Sequence, residues 1–128
     1  MHVVVPIRTG PDADEVLAFA ESFVAAVAAA YPDELTVEHS IAARRDRVYL
    51  DPFRNGFGQT MAAPYSVRRR EKAPISTPLQ WSEVKPTLMP SDFNMGNFAM
   101  RLKSADPWSD FFEIRQSLKD AMAAVKRL

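Results

Sequence analysis

A chain of 128 residues with 47% hydrophobic and 25% charged side chains has the size and composition of one folded domain, or a piece of one, and not of a disordered segment. The lack of cysteine excludes disulfides, thiolate zinc sites and cysteine nucleophiles, and no apolar run reaches the roughly 18 residues that span a bilayer. Formal charge sums to zero, yet residues 1–40 carry seven acids against Arg8 alone, while residues 41–72 carry eight Arg and Lys against three acids. A basic block inside a neutral chain is a weak, local anion signal, and a solvated basic face explains it equally. The N-terminus, MHVVVPIRTG, has no basic region followed by a long apolar core. The expectation is a soluble, cytoplasmic protein without a signal peptide.

In chain order, His2-Val3-Val4-Val5-Pro6-Ile7 reads as a strand, and three consecutive valines predict cover on both of its faces. Thr9-Gly10-Pro11 breaks it. Asp12 then caps a helix with Glu15 in capping-box position, and Val16, Ala20, Phe23, Val27 and Tyr31 form the apolar stripe, widened by Phe19 and Val24. Pro32 stops the helix. Residues 35–39 form a short strand, which predicts a strand–helix–strand crossover. Residues 47–52 form the next strand, with Val48 and Leu50 on one face and Arg47, Tyr49 and Asp51 on the other.

Asn55-Gly56 predicts a hairpin turn, and Thr60 to about Arg68 the return strand, at an edge or bulged because of Pro64. In that register Asp51 faces residues 60–62, and Arg68 comes near Arg44. Prolines 74, 78, 86 and 90 predict an irregular crossing over 72–92. Short helices are expected near Trp81–Val84 and over Asn97–Lys103. Asp106-Pro107 opens the last helix, whose stripe is Trp108, Phe111, Phe112, Leu118, Met122 and Val125.

Several chemistries are absent. There is no P-loop and no Gly-x-Gly-x-x-Gly, the two histidines lie too far apart for a helical zinc pair, and no serine sits in a nucleophile elbow. What remains is Asp51 with Arg44, Arg54 and Arg68. A carboxylate at a strand end suits Mg²⁺ or Mn²⁺, and arginine forks suit phosphate oxygens. The same spacing also describes a plain surface salt bridge. His2 is either a phosphate contact or a half-buried polar residue. Trp81 and Trp108 read as core anchors, and the methionines as core filler.

Three stretches carry a resemblance: RVYLDPFRNGFGQTMAAPYSVRRR, APISTPLQWSEV and ADPWSDFFEIRQSL. In this order they resemble consecutive blocks of the polymerase domain of bacterial DNA ligase D, the primase-like polymerase of bacterial non-homologous end joining. The similarity runs from His2 to about Leu118. It implies an α+β fold: a partial RRM-like primase/polymerase palm, with a mainly antiparallel sheet, a crossover helix and C-terminal helices. It also implies two-metal nucleotide addition (Mn²⁺ or Mg²⁺, with an NTP as substrate) at DNA ends. By the same resemblance Asp51 is the third metal carboxylate and Arg68, of Ala-Pro-Tyr-Ser-x-Arg, a nucleotide-phosphate ligand. Arg44 matches a basic position just before the Asp strand, Arg54 lies near the incoming nucleotide, and His2 ends the Ser-Gly-x-Lys/Arg-Gly-x-His motif.

The rest of that motif and the family's Asp-x-Asp pair would precede residue 1. The expectation is therefore that residues 1–128 form a single partial domain, the C-terminal half of such a polymerase, inactive alone and completed by a separately encoded N-terminal half or a ligase. The rival expectation is a non-catalytic nucleotide- or DNA-binding remnant, using Arg44, Arg47, Arg68, Arg69 and Arg70, or a truncated reading frame. A homodimer or a local rearrangement would cover an apolar edge left open.

Overall fold

The computed structural model describes residues 1–125. In chain order the elements are α1 (Ala13–Ala30), β1 (Leu35–Thr36), α2 (Ile41–Arg44), β2 (Val48–Tyr49), α3 (Phe98–Arg101) and α4 (Leu118–Val125), with 3₁₀ turns at Phe53–Asn55 and Trp81–Glu83. The chain is a small α+β structure in two compact units. One is Met1–Thr60 together with the chain from Arg115; the other is Met61–Ile114.

In the first unit, α1 forms as its sequence dictates. The Asp12 carboxylate accepts from the Glu15 amide at 2.9 Å, and the Glu15 carboxylate accepts from the Asp12 amide at 3.0 Å. This capping box satisfies two of the free N–H groups at the helix start. The helix ends before Pro32, and the Tyr31 N–H donates to the Val27 carbonyl. It packs on the Phe53–Asn55 turn, α4 and β1. Yet none of its 18 residues is buried, so its apolar stripe is only half covered.

β1 and β2 pair in parallel, Leu35 with Val48 and Thr36 with Tyr49. The only sheet among the described residues is thus two-stranded and parallel, which corrects the mainly antiparallel expectation. Among the described residues antiparallel pairing appears only as single bridges, Val67 with Ile75 and Pro74 with Asn94. The stretch 2–7 is also corrected. Only Ile7 pairs, in parallel with Gln116, so the strand–helix–strand crossover that needs a first strand does not form. Val3 and Val5 are 64% and 54% exposed rather than covered on both faces.

The expected hairpin after Asp51 does not form either. Asp51 Oδ1 accepts from the Phe53 amide at 3.0 Å, and Pro52 begins a 3₁₀ turn that ends when the Gly56 N–H donates to Phe53 O at 3.1 Å. An acceptor side chain two residues before its donor, followed by proline, closes a local turn before cross-strand pairing can start. Of the expected return strand, residues 65–68 pair instead with 74–76.

In the second unit the proline-rich crossing is irregular, as expected. Its short turn at Trp81–Glu83 and the helix α3 lie where the sequence places them. Here Arg101 grips Glu83 through both guanidinium nitrogens and also donates to Pro78 O at 2.8 Å. The last helix is corrected: residues 107–113 form turns, and α4 starts only at Leu118.

The core is thin. Ile75, Phe98 and Leu118, with Pro52, Pro74 and Pro78, are the buried apolar side chains among the described residues, and none is fully inaccessible. Trp81, expected as a core anchor, is 74% exposed, and all six methionines, expected as filler, are exposed. The surface measures 10132 Å². A compact 14.4 kDa monomer would expose roughly 6,800 Å², and two separate compact units of these sizes roughly 8,200 Å². Large apolar side chains contribute to the measured surface, with Ile41 81%, Phe57 90% and Trp81 74% exposed.

Candidate nucleotide-phosphate site

Asp51 leaves β2 on the loop that its own carboxylate shapes. Oδ1 holds the Phe53 amide, and Oδ2 faces Arg54 Nε at 3.7 Å with both side chains largely in water. Arg54 Nη1 reaches Gln59 Oε1 at 3.4 Å. Of the residues named from the sequence, these two are brought together. Such an exposed pair contributes about 0–1 kcal/mol, so it does not explain the residues by stability alone. His2 lies exposed on the extended N-terminal segment.

Arg44 is committed to the fold. Its Nε donates to Glu38 O and its Nη2 to His39 O, both at 2.9 Å, and the guanidinium lies 3.9 Å from the centre of the Tyr49 ring. Arg47 behaves alike, donating to the carbonyls of Arg44 and Ala43 at 3.1 Å. Both arginines neutralise backbone carbonyls around α2, where that short helix leaves acceptors unpaired. His39 flanks the cluster, 5.5 Å from the rings of both Tyr49 and Phe53. The Tyr49 hydroxyl is buried there without a hydrogen-bond partner.

Arg68 has the opposite setting. It lies in the second unit, on the segment Ala63-Pro64-Tyr65-Ser66-Val67-Arg68. Its backbone is fixed by its N–H on Pro74 O at 2.7 Å. Its guanidinium is exposed, with no hydrogen bond or ion pair among the described residues. Arg69, Arg70 and Lys72 follow on an exposed turn, closed by Arg70 N–H to Arg68 O and Ala73 N–H to Arg70 O. Four cations interrupted only by Glu71 thus stand on one turn, and none of the four makes an ion pair among the described residues.

Three features escaped the sequence reading. Tyr65 donates its hydroxyl to Asp106 Oδ1 at 2.5 Å, across 41 residues. Burial and then this bond push the phenol up to about 12, and the same bond holds the Asp106 carboxyl below its ordinary range. Arg101 in turn holds Glu83 below the usual carboxylate range. No sequence rule pairs residues so far apart. The third is Asp12-Ala13-Asp14, which spells an Asp-x-Asp inside the chain. Its first carboxylate is spent on capping α1, which explains why it does not read as a metal motif.

Among the described residues no group of three His, Asp or Glu side chains gathers to hold a metal ion. One exposed carboxylate with a cation at its side fits a single ligand of a divalent-cation site and not a complete one. No helix among the described residues is long and apolar enough to cross a membrane.

With this geometry in place, the comparisons are specific. The sequence matches the family described as LigD, primase-polymerase domain, over residues 1–108. It is 30% identical over 125 residues to the multifunctional non-homologous end joining protein LigD of Pseudomonas aeruginosa, covering 95% of this chain and 15% of that protein. It is 34% identical over 84 residues to the bifunctional non-homologous end joining protein LigD of Bacillus subtilis, covering 65% of this chain and 14% of that protein. The chain therefore spans about one seventh of the length of these relatives. It belongs to the LigD primase-polymerase domain family.

Proposed function

We propose that these 128 residues are part of a polymerase domain acting in end-joining DNA repair, and that they contribute residues to its nucleotidyl-transfer chemistry. The observation that carries this reading is the family match over residues 1–108. The unpaired Arg68 on its rigid segment supports it further. In this reading Arg68 binds nucleotide phosphate, with Arg69, Arg70 and Lys72 raising the local positive potential. Asp51 offers one oxygen ligand for Mn²⁺ or Mg²⁺, Arg54 and His2 contact the nucleotide, and Arg44 sets the loop between β1 and β2 that leads to Asp51. The substrates are an NTP and DNA ends, and the place of action is the cytoplasm, where bacterial DNA lies.

The remaining carboxylates must come from further polypeptide, either the rest of the same domain or a separately encoded half or ligase. Two observations support such a partner: the relatives are several times longer, and the surface is far larger than a self-sufficient fold exposes. The expected result is no primer extension by this chain alone with Mn²⁺, NTP and primed DNA. Extension is expected once the missing portion of the domain is added, and its loss with Asp51→Asn or Arg68→Ala. If the combined polypeptides extend no primer, the catalytic reading falls.

A second reading has its own support in the exposed basic turn of Arg68, Arg69, Arg70 and Lys72: a binding module without catalysis. It would still bind DNA, with affinity falling steeply as salt rises, but adding the missing portion would restore no extension.

A further inference from the structure

We infer that Tyr65 and Asp106 are positioning residues for Arg68: together they clamp the Pro64–Arg68 segment onto residues 74–76 and so fix where the Arg68 guanidinium is presented. The functional consequence rests on the phosphate role proposed for Arg68.

The backbone at Tyr65 carries the argument. Its φ of +62° lies in the left-handed region, which a residue with a bulky side chain leaves unless held. Three contacts hold it. The Tyr65 N–H donates to Ser76 O at 2.6 Å, the ring lies 6.0 Å from that of Phe98, one of the few buried side chains, and the hydroxyl reaches Asp106. Asp106 is itself anchored, since the same Oδ1 accepts the Trp108 amide at 2.9 Å.

From Tyr65 the order passes to Arg68 over three residues. Ser76 N–H donates to Ser66 O at 2.9 Å, Val67 bridges Ile75, and Arg68 N–H donates to Pro74 O. The 74–76 segment is tied in turn to 93–95, through Ile75 N–H to Phe93 O at 2.8 Å. A short run anchored at both ends fixes the backbone point from which Arg68 extends its side chain. With the Tyr65 end released, the left-handed residue relaxes and the register with 74–76 loosens. The pair also joins two sequence blocks otherwise unrelated, the Ala-Pro-Tyr-Ser-x-Arg run and Ala105-Asp106-Pro107-Trp108.

The test uses the whole chain as Tyr65→Phe, Asp106→Ala, Arg68→Ala and Tyr65→Phe with Arg68→Ala. Tyr65→Phe keeps the ring on Phe98 and removes only the hydroxyl. Amide hydrogen exchange at Tyr65, Arg68 and Ser76 is expected to quicken about 3- to 10-fold in Tyr65→Phe and Asp106→Ala, while Val48 and Leu50 keep their rates. Titration with inorganic tripolyphosphate at low salt is expected to weaken about 3- to 10-fold in Tyr65→Phe and more in Arg68→Ala. The double variant should bind no worse than Arg68→Ala alone, because the clamp acts only through that arginine.

Unchanged exchange at those three amides would overturn the inference, as would a Tyr65→Phe loss that persists in the Arg68→Ala background. Tripolyphosphate affinity that is absent in the native chain, or intact in Arg68→Ala, would overturn the phosphate reading instead. The exchange result would still decide the clamp.

Discussion

The basic block contains two sets of arginines with opposite fates. Arg44 and Arg47 fold back onto the carbonyls of residues 38, 39, 43 and 44, and Arg44 also covers the Tyr49 ring. Arg68, Arg69 and Arg70 stand in water on a turn closed by backbone hydrogen bonds. Charge counted along the sequence treats them alike. What separates them is backbone hydrogen-bond demand: a short helix with exposed carbonyls absorbs nearby guanidinium groups, whereas a turn that satisfies its own carbonyls leaves them for a ligand.

The largest expected effect breaks this contrast on stability. Arg44→Ala removes two bonds to backbone carbonyls and a cation–ring contact, and is expected to destabilise the first unit by about 1–3 kcal/mol. Arg68→Ala should stay within about 0.5 kcal/mol of the native chain, since the side chain supports nothing. Urea unfolding of both variants measures the difference, and equal losses would erase the distinction.

A second expected effect concerns the ion pair that anchors the free arginines' own unit. Glu83→Gln leaves the half-buried Arg101 with a weaker acceptor and should cost about 1–2 kcal/mol. The bond to Arg101 lowers the Glu83 carboxyl in the folded state. Its stabilisation is therefore present above the ordinary glutamate value of 4.5 and fades as pH falls through the folded value. Acid unfolding should be less steep in Glu83→Gln. Tyr65 shifts the other way. Raised to about 12, first by burial and then by Asp106, it stabilises the fold below its ordinary 10.0 and loses that contribution as pH rises toward 12. Alkaline unfolding of Tyr65→Phe should lack this fall.

The smallest effect sharpens the Arg44 side of the contrast. The Tyr49 hydroxyl is buried without a partner, so Tyr49→Phe removes an unsatisfied group and keeps the ring beneath Arg44. Its melting temperature should match or slightly exceed that of the native chain. A clear fall would mean that the hydroxyl makes a bond through water.

Local signals in the sequence were legible and long-range ones were not. Asp12, Glu15 and Pro32 delimit α1 because capping and termination act within a few residues. The run 2–7 misleads because continuous valines state only that cover is needed, not that this chain supplies it. Asn55-Gly56 misleads because Asp51 and Pro52 close a turn first. Asp106-Pro107 misleads because the capped turns that follow it at 107–113 do not continue into a helix, which starts only at Leu118. Of the candidate residues, the sequence could not tell that Arg44 would be absorbed by carbonyls while Arg68 stays exposed.

The most direct measurement titrates tripolyphosphate, at low salt, into the native chain, Arg68→Ala and Arg44→Ala, under conditions where all three are folded. If the exposed turn is the phosphate site, Arg68→Ala should lose at least about tenfold in affinity, as expected for charge-assisted contacts, while Arg44→Ala stays near the native value. Loss on Arg44→Ala with Arg68→Ala unchanged would contradict the account and move the phosphate site to the arginines assigned here to the fold.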